Sequence, residues 1–292
     1  MKFIPTRSAL IHLRLPFSIF LLPVFLFALS QAPEINVYKA WFAFLAWHFF
    51  VYPASNAYNS YFDKDEGSIA LIEKPPPVDR SLYYFSLFLD TVAIILAIMV
   101  SVQFLFAVII YGVISKLYSH PSTRLKRYPL VSFFIVFIFQ GAFIYWTSYA
   151  AVSGLSLLYG WNTNFIVAGL ICSCLIGANY PLTQIYQHEE DRKRGDTTLS
   201  MKLGIQGSFI FTIILFTLAI LLSFWYWHNL NQINNFWLFL IFSFPVFIVF
   251  TKWFLKVRKN EKEANYKNMS VMTWTGGILM LLYFLSIWWI KY

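Results

Sequence analysis

Nine mostly apolar runs follow one another along this chain, each of the roughly 17 to 25 residues needed to cross the hydrocarbon of a bilayer. They fall at 12–30, 40–60, 81–100, 102–118, 128–150, 163–186, 203–224, 232–252 and 270–290. Backbone polar groups in lipid must be satisfied within the segment, so such runs predict an all-α, polytopic membrane protein with nine transmembrane helices. Composition agrees: 59% of the residues are hydrophobic and only 12% charged, where a soluble domain carries about 25%. Pro16 and Pro23 predict a kinked or late start to the first span. No cleavable signal pattern precedes it, so it is expected to be retained.

The formal net charge of +9 is unevenly placed. With nine spans, 20 of the 22 basic residues, Lys2 among them, fall on one side of the membrane, against Lys39 and Lys291 on the other. The positive-inside rule makes that side the cytoplasm and puts the N-terminus there, in an integral membrane protein expected in a bacterial inner membrane. Arg7 and Arg14 read as topology anchors. This charge needs no nucleic-acid partner, and no required protein partner is evident; membrane lipids and an anionic substrate suffice. Trp146, Tyr149, Tyr159 and Trp161 read as an aromatic belt at the opposite interface. Cys172 and Cys174, two apart in an apolar run, fall on different helix faces and suggest neither a disulfide nor a metal site.

Two stretches break the apolar pattern with carboxylates at the mouth of a span. In Ser55 to Pro77, Asn56, Asn59 and Asp63 recur at helical spacing on one face, and Asp65 and Glu66 follow. In the other half, Asn179, Thr183, Tyr186 and Gln187 form a second polar face, kinked at Pro181, before Glu189, Asp191 and Asp196. Carboxylates beside a hydrophobic span are costly without water, a cation or a metal, so both stretches are candidate sites facing one polar mouth. Asp90 is the only carboxylate well inside a span, about 14 Å deep at 1.5 Å per residue, and is either a structural acid or a cavity-lining one. Between the halves, His120, Arg124, Lys126 and Arg127 surround a loop bounded by Pro121 and Pro129, either a solvated loop or a shaped phosphate site.

Oxygen donors such as Asn59, Asp63, Glu189 and Asp191 suit Mg2+, which keeps waters and bridges to substrate phosphates. The apolar interior beneath would hold a hydrocarbon tail. Tyr58, Tyr61, Tyr180 and Tyr186 are candidates to stabilise an allylic cation through their ring faces.

The ordered set of loops resembles the UbiA superfamily of intramembrane prenyltransferases, which have nine helices and two aspartate-rich motifs. The run Asn59, Ser60, Asp63 and Gly67, followed by Lys74 to Pro77, is similar to the first motif. The segment YSHPSTRLKRYP is similar to the middle loop, and Gln187, Glu189, Glu190, Asp191 and Arg192, then Gly195, Thr198 and Leu199, to the second. Three family aspartates are replaced, by Ser60, Gly67 and Gln187.

The resemblance implies a single domain over 1–292 with two related helical halves around an intramembrane substrate chamber. It implies Mg-dependent transfer of an isoprenyl group from its diphosphate to a lipophilic, often aromatic acceptor. Asp63 and Asp191 would be the leading metal ligands, with Asn59 and Glu189 behind them, and Asp90 a further catalytic candidate. Lys116, Arg124, Lys126, Arg192 and Lys202 would bind diphosphate. Asn56, Tyr58, Asn179, Tyr186 and Gln187 would line the chamber. Competing readings are a phosphosugar transferase acting on a polyprenyl phosphate, an ion-coupled transporter, and a noncatalytic relative.

Overall fold

The computed structural model describes residues 5–157 and 161–291; Lys2 and Tyr159 lie outside them. The described residues are helical throughout apart from short connections and one isolated bridge between Ile69 and Ile72. The helices are α1 Arg7–His12, α2 Ser18–Gln31, α3 Val37–Leu45, α4 Tyr52–Asp63, α5 Arg80–Val100, α6 Val102–Ser119 and α7 Pro129–Val136. They continue with α8 Phe143–Ser153, α9 Thr163–Asn179, α10 His188–Lys193, α11 Leu199–Asn229, α12 Ile233–Lys259 and α13 Tyr266–Lys291.

Local chemistry sets the boundaries. Asp79, Ser101 and Asn162 cap α5, α6 and α9 by accepting hydrogen bonds from backbone amides of the first turn. Pro181 ends α9 in a short 3-10 turn, as its missing N–H requires. A π turn over Ala46–Val51 joins α3 to α4 just before Pro53, and another over Phe137–Ala142 joins α7 to α8.

Among the described residues, eight helices are long and apolar enough to cross a membrane. The expected second span is continuous helix from Val37 to Asp63 but does not join the eight: Lys39 and His48 lower the hydropathy of its first part, and Ser55, Asn56, Asn59 and Ser60 that of its α4 half. The outer surface is apolar, with Phe88 57%, Trp237 55% and Ile241 66% exposed, as a lipid-facing surface requires.

The bundle closes by α11 on α9, α13 on α2, α12 on α13 and α4 on α5. Its core is aromatic: the Phe27 ring lies 5.1 Å from Tyr145 and 4.8 Å from Phe284, centroid to centroid. At the end where the aromatic belt is expected, the Trp146 and Trp161 rings are 5.0 Å apart. At Gly141 the helices meet backbone to backbone, and a Cβ there would collide with the Ser173 backbone. The Ser173 hydroxyl locks this contact by donating to Phe137 O at 2.6 Å and accepting from Ala142 N at 2.9 Å. Backbone cannot yield here as a side chain would. Gly141→Ala is therefore expected to destabilise the bundle by about 1–3 kcal/mol, read as a lowered Tm of the purified protein.

Candidate active site

The polar face of α4 is pinned from both sides. Asn59 Nδ2 donates to Ser119 Oγ of α6 at 2.8 Å, and Asn56 Nδ2 donates to Leu13 O at 3.2 Å. Arg14, held in a left-handed conformation (φ 49°), donates from Nη2 to Asn56 O and Ser60 Oγ, both at 3.3 Å. These contacts place Asp63 at the end of α4, where Lys64 turns the chain with φ 48°.

The middle loop bridges the two acidic stretches. Arg124 clamps Asp196 with two hydrogen bonds, Nε to Oδ1 at 2.8 Å and Nη2 to Oδ2 at 2.7 Å, and the same Nη2 lies 3.6 Å from Asp63 Oδ1. The Asp196 carboxylate, by accepting these bonds, holds the Arg124 guanidinium above its ordinary value. Lys126 forms an ion pair with Asp63. On the other side Arg194 pairs with Asp65 at 2.5 Å and with Glu190. Asp63 and Asp196 are each 5% exposed, so these pairs are shielded from screening by water.

Asp191 differs. It is half-buried and forms no ion pair among the described residues. Burial, and then the neighbouring charge of Asp196, push its carboxyl up to about 7. An acid held so poorly in its charged form is ready to receive a cation.

A cavity of about 740 Å³ runs through the bundle beneath this charged end. Asn56, Asn59 and Asn179 line its polar end, and Phe216, Met280 and Phe284 its apolar length. The Tyr118 and Tyr180 hydroxyls meet at 3.1 Å in its wall. Arg14 is the only charged side chain lining it among the described residues, and its Nε has no partner. Phe244 and Phe247 line the cavity and are 63% and 57% exposed.

Several expected residues stand elsewhere. Glu189 turns outward to Lys193, with side chains 85% and 75% exposed, because the inward face of α10 carries Glu190 instead. Arg192 and Lys202 are exposed, and Arg194 occupies the inward basic position. Lys116 lies 2.5 Å from Asp90 and beside the Tyr58 ring, between α5 and α6. That pair neutralises itself, and neither it nor Tyr58 lines the cavity. Tyr61 packs on Phe62 and Tyr83, and Tyr186 on Tyr266; of the four candidate tyrosines only Tyr180 lines the cavity. Gln187 donates to Ser68 O at 2.9 Å, away from the cavity wall. The sequence reading gave Arg14, Arg194 and Tyr118 no place in the site, and it named Glu190 and Asp196 only as acids of the second stretch, without the roles that their contacts give them.

Comparison with known proteins adds to this geometry. No curated protein matches the sequence. A UbiA homolog from Archaeoglobus fulgidus bound to DMAPP and Mg2+ shares the fold with a TM-score of 0.67 at 15% identity, over 97% of this chain and 99% of that one. The same homolog bound to GPP and Mg2+ gives 0.66 at 16% identity, over 96% and 99%. A structure described for digeranylgeranylglyceryl phosphate synthase gives 0.62 at 20% identity, over 98% of each chain. The sequence pattern of the UbiA prenyltransferase family matches residues 19–277, and with a match over most of its length the chain belongs to that family.

Proposed function

We propose that this protein transfers an isoprenyl group from its diphosphate to a lipophilic acceptor, an aromatic ring being the expected one, with release of diphosphate. One observation carries the reading. A charged end in which Arg124 and Lys126 tie together two acidic stretches stands directly over a long apolar cavity. That arrangement suits a molecule with a phosphate head and a hydrocarbon tail, and the similar fold solved with DMAPP or GPP and Mg2+ supports it.

The donor set fits magnesium shared with substrate. No three His, Cys, Asp or Glu side chains among the described residues form a metal cluster by themselves. Magnesium usually takes only one or two carboxylates and completes its shell with waters and phosphate oxygens. Asp191, charged at a cost and unpaired, and Asp63, at the end of the Asn59 face, would hold it; Glu189 would not. When bound, the ion would neutralise charge on the leaving diphosphate.

The chain's own groups do the rest. Arg124 and Lys126 exchange carboxylate partners for phosphate oxygens and hold the leaving group, the bidentate fork of Arg124 fixing its orientation. Below them the Tyr118 and Tyr180 rings face the carbon that becomes electron-poor as its bond to oxygen lengthens. The dry cavity excludes water from that carbon until the acceptor attacks. The exposed flank at Phe244 and Phe247 gives a lipid-soluble acceptor access from the bilayer.

In this reading the helical run from Val37 to Asp63 is a ninth span and residues 1–292 form one domain with two related halves around a substrate chamber. The charged end faces the cytoplasm, in a bacterial inner membrane, with the N-terminus on that side. Purified protein incubated with labelled isoprenyl diphosphates, quinone precursors and magnesium should yield a labelled prenylated product. Intact diphosphates together with solute counterflow in vesicles would replace this reading with a transporter.

The Asp191 acidity gives a second expected result. Only the carboxylate binds a cation, so magnesium affinity should rise with pH, by up to about tenfold per unit below 7, and level off above it. Titration calorimetry with a nonhydrolysable donor analogue measures this, and Asp191→Asn should flatten the profile.

A further inference from the structure

The three positions that lack a family aspartate all make contacts within the protein. Ser60 accepts from Arg14, Gln187 donates to Ser68 O at 2.9 Å, and the Gly67 amide donates to Glu190 Oε1 at 3.3 Å. Glu190 Oε1 also accepts from Glu66 N at 3.0 Å, and Arg194 ties Glu190 to Asp65. A side chain at position 67 would spoil this: a Cβ there would lie 2.5 Å from Glu190 Oε2. Glycine matters here for space, not for an unusual backbone angle: a side chain would push the Glu190 carboxylate out of its present contacts.

The segment so held is a small hairpin. Ile69 and Ile72 exchange backbone hydrogen bonds at 2.9 Å, and Ile69 is 3% exposed. At its tip Leu71 adopts φ 68°, a left-handed conformation that a leucine keeps only when its surroundings impose it. Ala70 and Leu71 line the cavity.

We propose that Glu190 is a positioning residue, a latch that with Arg194 and Gln187 fastens the hairpin over the polar end of the cavity without help from a metal ion. The hairpin then walls the reacting carbon off from water. This deepens the prenyl-transfer reading and rests on it for its chemical consequence, though the closure itself does not. Where the resemblance places acids that would serve a metal, this chain has a glycine that admits Glu190 and an amide that grips the hairpin backbone.

Hydrogen exchange on the full-length protein in nanodiscs with EDTA tests the closure. The peptide covering residues 64–72 should be protected in the wild type, and exchange at least tenfold faster in Gly67→Ala and Glu190→Ala, while peptides from α9 and α13 stay unchanged. Glu190→Gln keeps an acceptor oxygen and should restore most of the protection. Protection that appears only when magnesium is added, or that survives both alanine variants, overturns the latch.

Product partition tests the consequence. If water captures the allylic carbon, a carbon–oxygen bond forms, the bond to diphosphate breaks and a proton is released, giving prenyl alcohol. The share of alcohol among products should rise severalfold in Gly67→Ala and Glu190→Ala; an unchanged share refutes the shielding role. If the wild type forms neither product, the prenyl-transfer reading falls while exchange still decides the latch.

Discussion

Asp191→Asn is expected to lower prenyl transfer on the order of 10²–10³-fold, the scale for losing one preorganised charge-stabilising group, yet to leave the folded protein at least as stable as the wild type at pH 8. The two halves of that result have one cause. The Asp191 carboxyl sits near 7 because burial and Asp196 disfavour its charge. A carboxyl raised in the folded state contributes stability at low pH that is lost as pH rises through the folded value, so the ionised wild type is strained at pH 8. A neutral amide removes the strain together with the ligand. Asp63→Asn should cut activity comparably but behave oppositely in stability. Asp63 is 5% exposed and paired with Lys126, itself 13% exposed, so removing its charge strands a shielded ammonium at a cost of about 3 kcal/mol. Thermal melts and product assays on both variants at pH 6 and pH 8 check the contrast. A matching loss of stability in Asp191→Asn would show that its carboxylate has a partner in the folded protein.

The helical spans were legible because lipid permits few alternatives, and the polar faces at Asn56, Asn59 and Asp63 were legible because helical spacing is strict. The inward face of α10 was not. Glu189 with Lys193 and Glu190 with Arg194 are two identical i,i+4 patterns one residue apart. Spacing cannot choose between them; the gap left by Gly67, more than a hundred residues away, does. Arg14 read as a topology anchor because it stands near the N-terminus among basic residues. Its left-handed backbone turns the guanidinium into the cavity, and that angle has no signal in a non-glycine residue. Asp90 was read as either a structural or a cavity-lining acid with no partner named, and Lys116 was given to the diphosphate; the structure pairs the two. Side chains on a helix lean toward its N-terminus, so a lysine near the end of α6 reaches back to an acid deeper in the bundle.

Gly276→Phe is expected to cut the use of long isoprenyl donors about 100-fold relative to short ones, which it should spare. Gly276 lines the cavity on α13, and a Cβ there would meet nothing closer than Val246 at 3.9 Å, so a side chain can leave the backbone at this position without a clash at its first carbon. Counting 1.5 Å per residue, it stands about 10 Å further along α13 than Met269, which lines the same cavity and packs with Leu182 beside the polar end. A five-carbon chain anchored at Arg124 and Lys126 would stop short of that level; a twenty-carbon chain would have to pass it. Filling the channel forces the longer tail to bend or to leave apolar surface unburied, at about 0.8 kcal/mol per methylene. Three or four such groups account for the 100-fold change. The measurement is kcat/KM for donors of five, ten and twenty carbons. The polar end is untouched, so the short donor should keep both its rate and its magnesium requirement. A uniform loss across all three lengths would mean that the tail lies along another wall of the cavity.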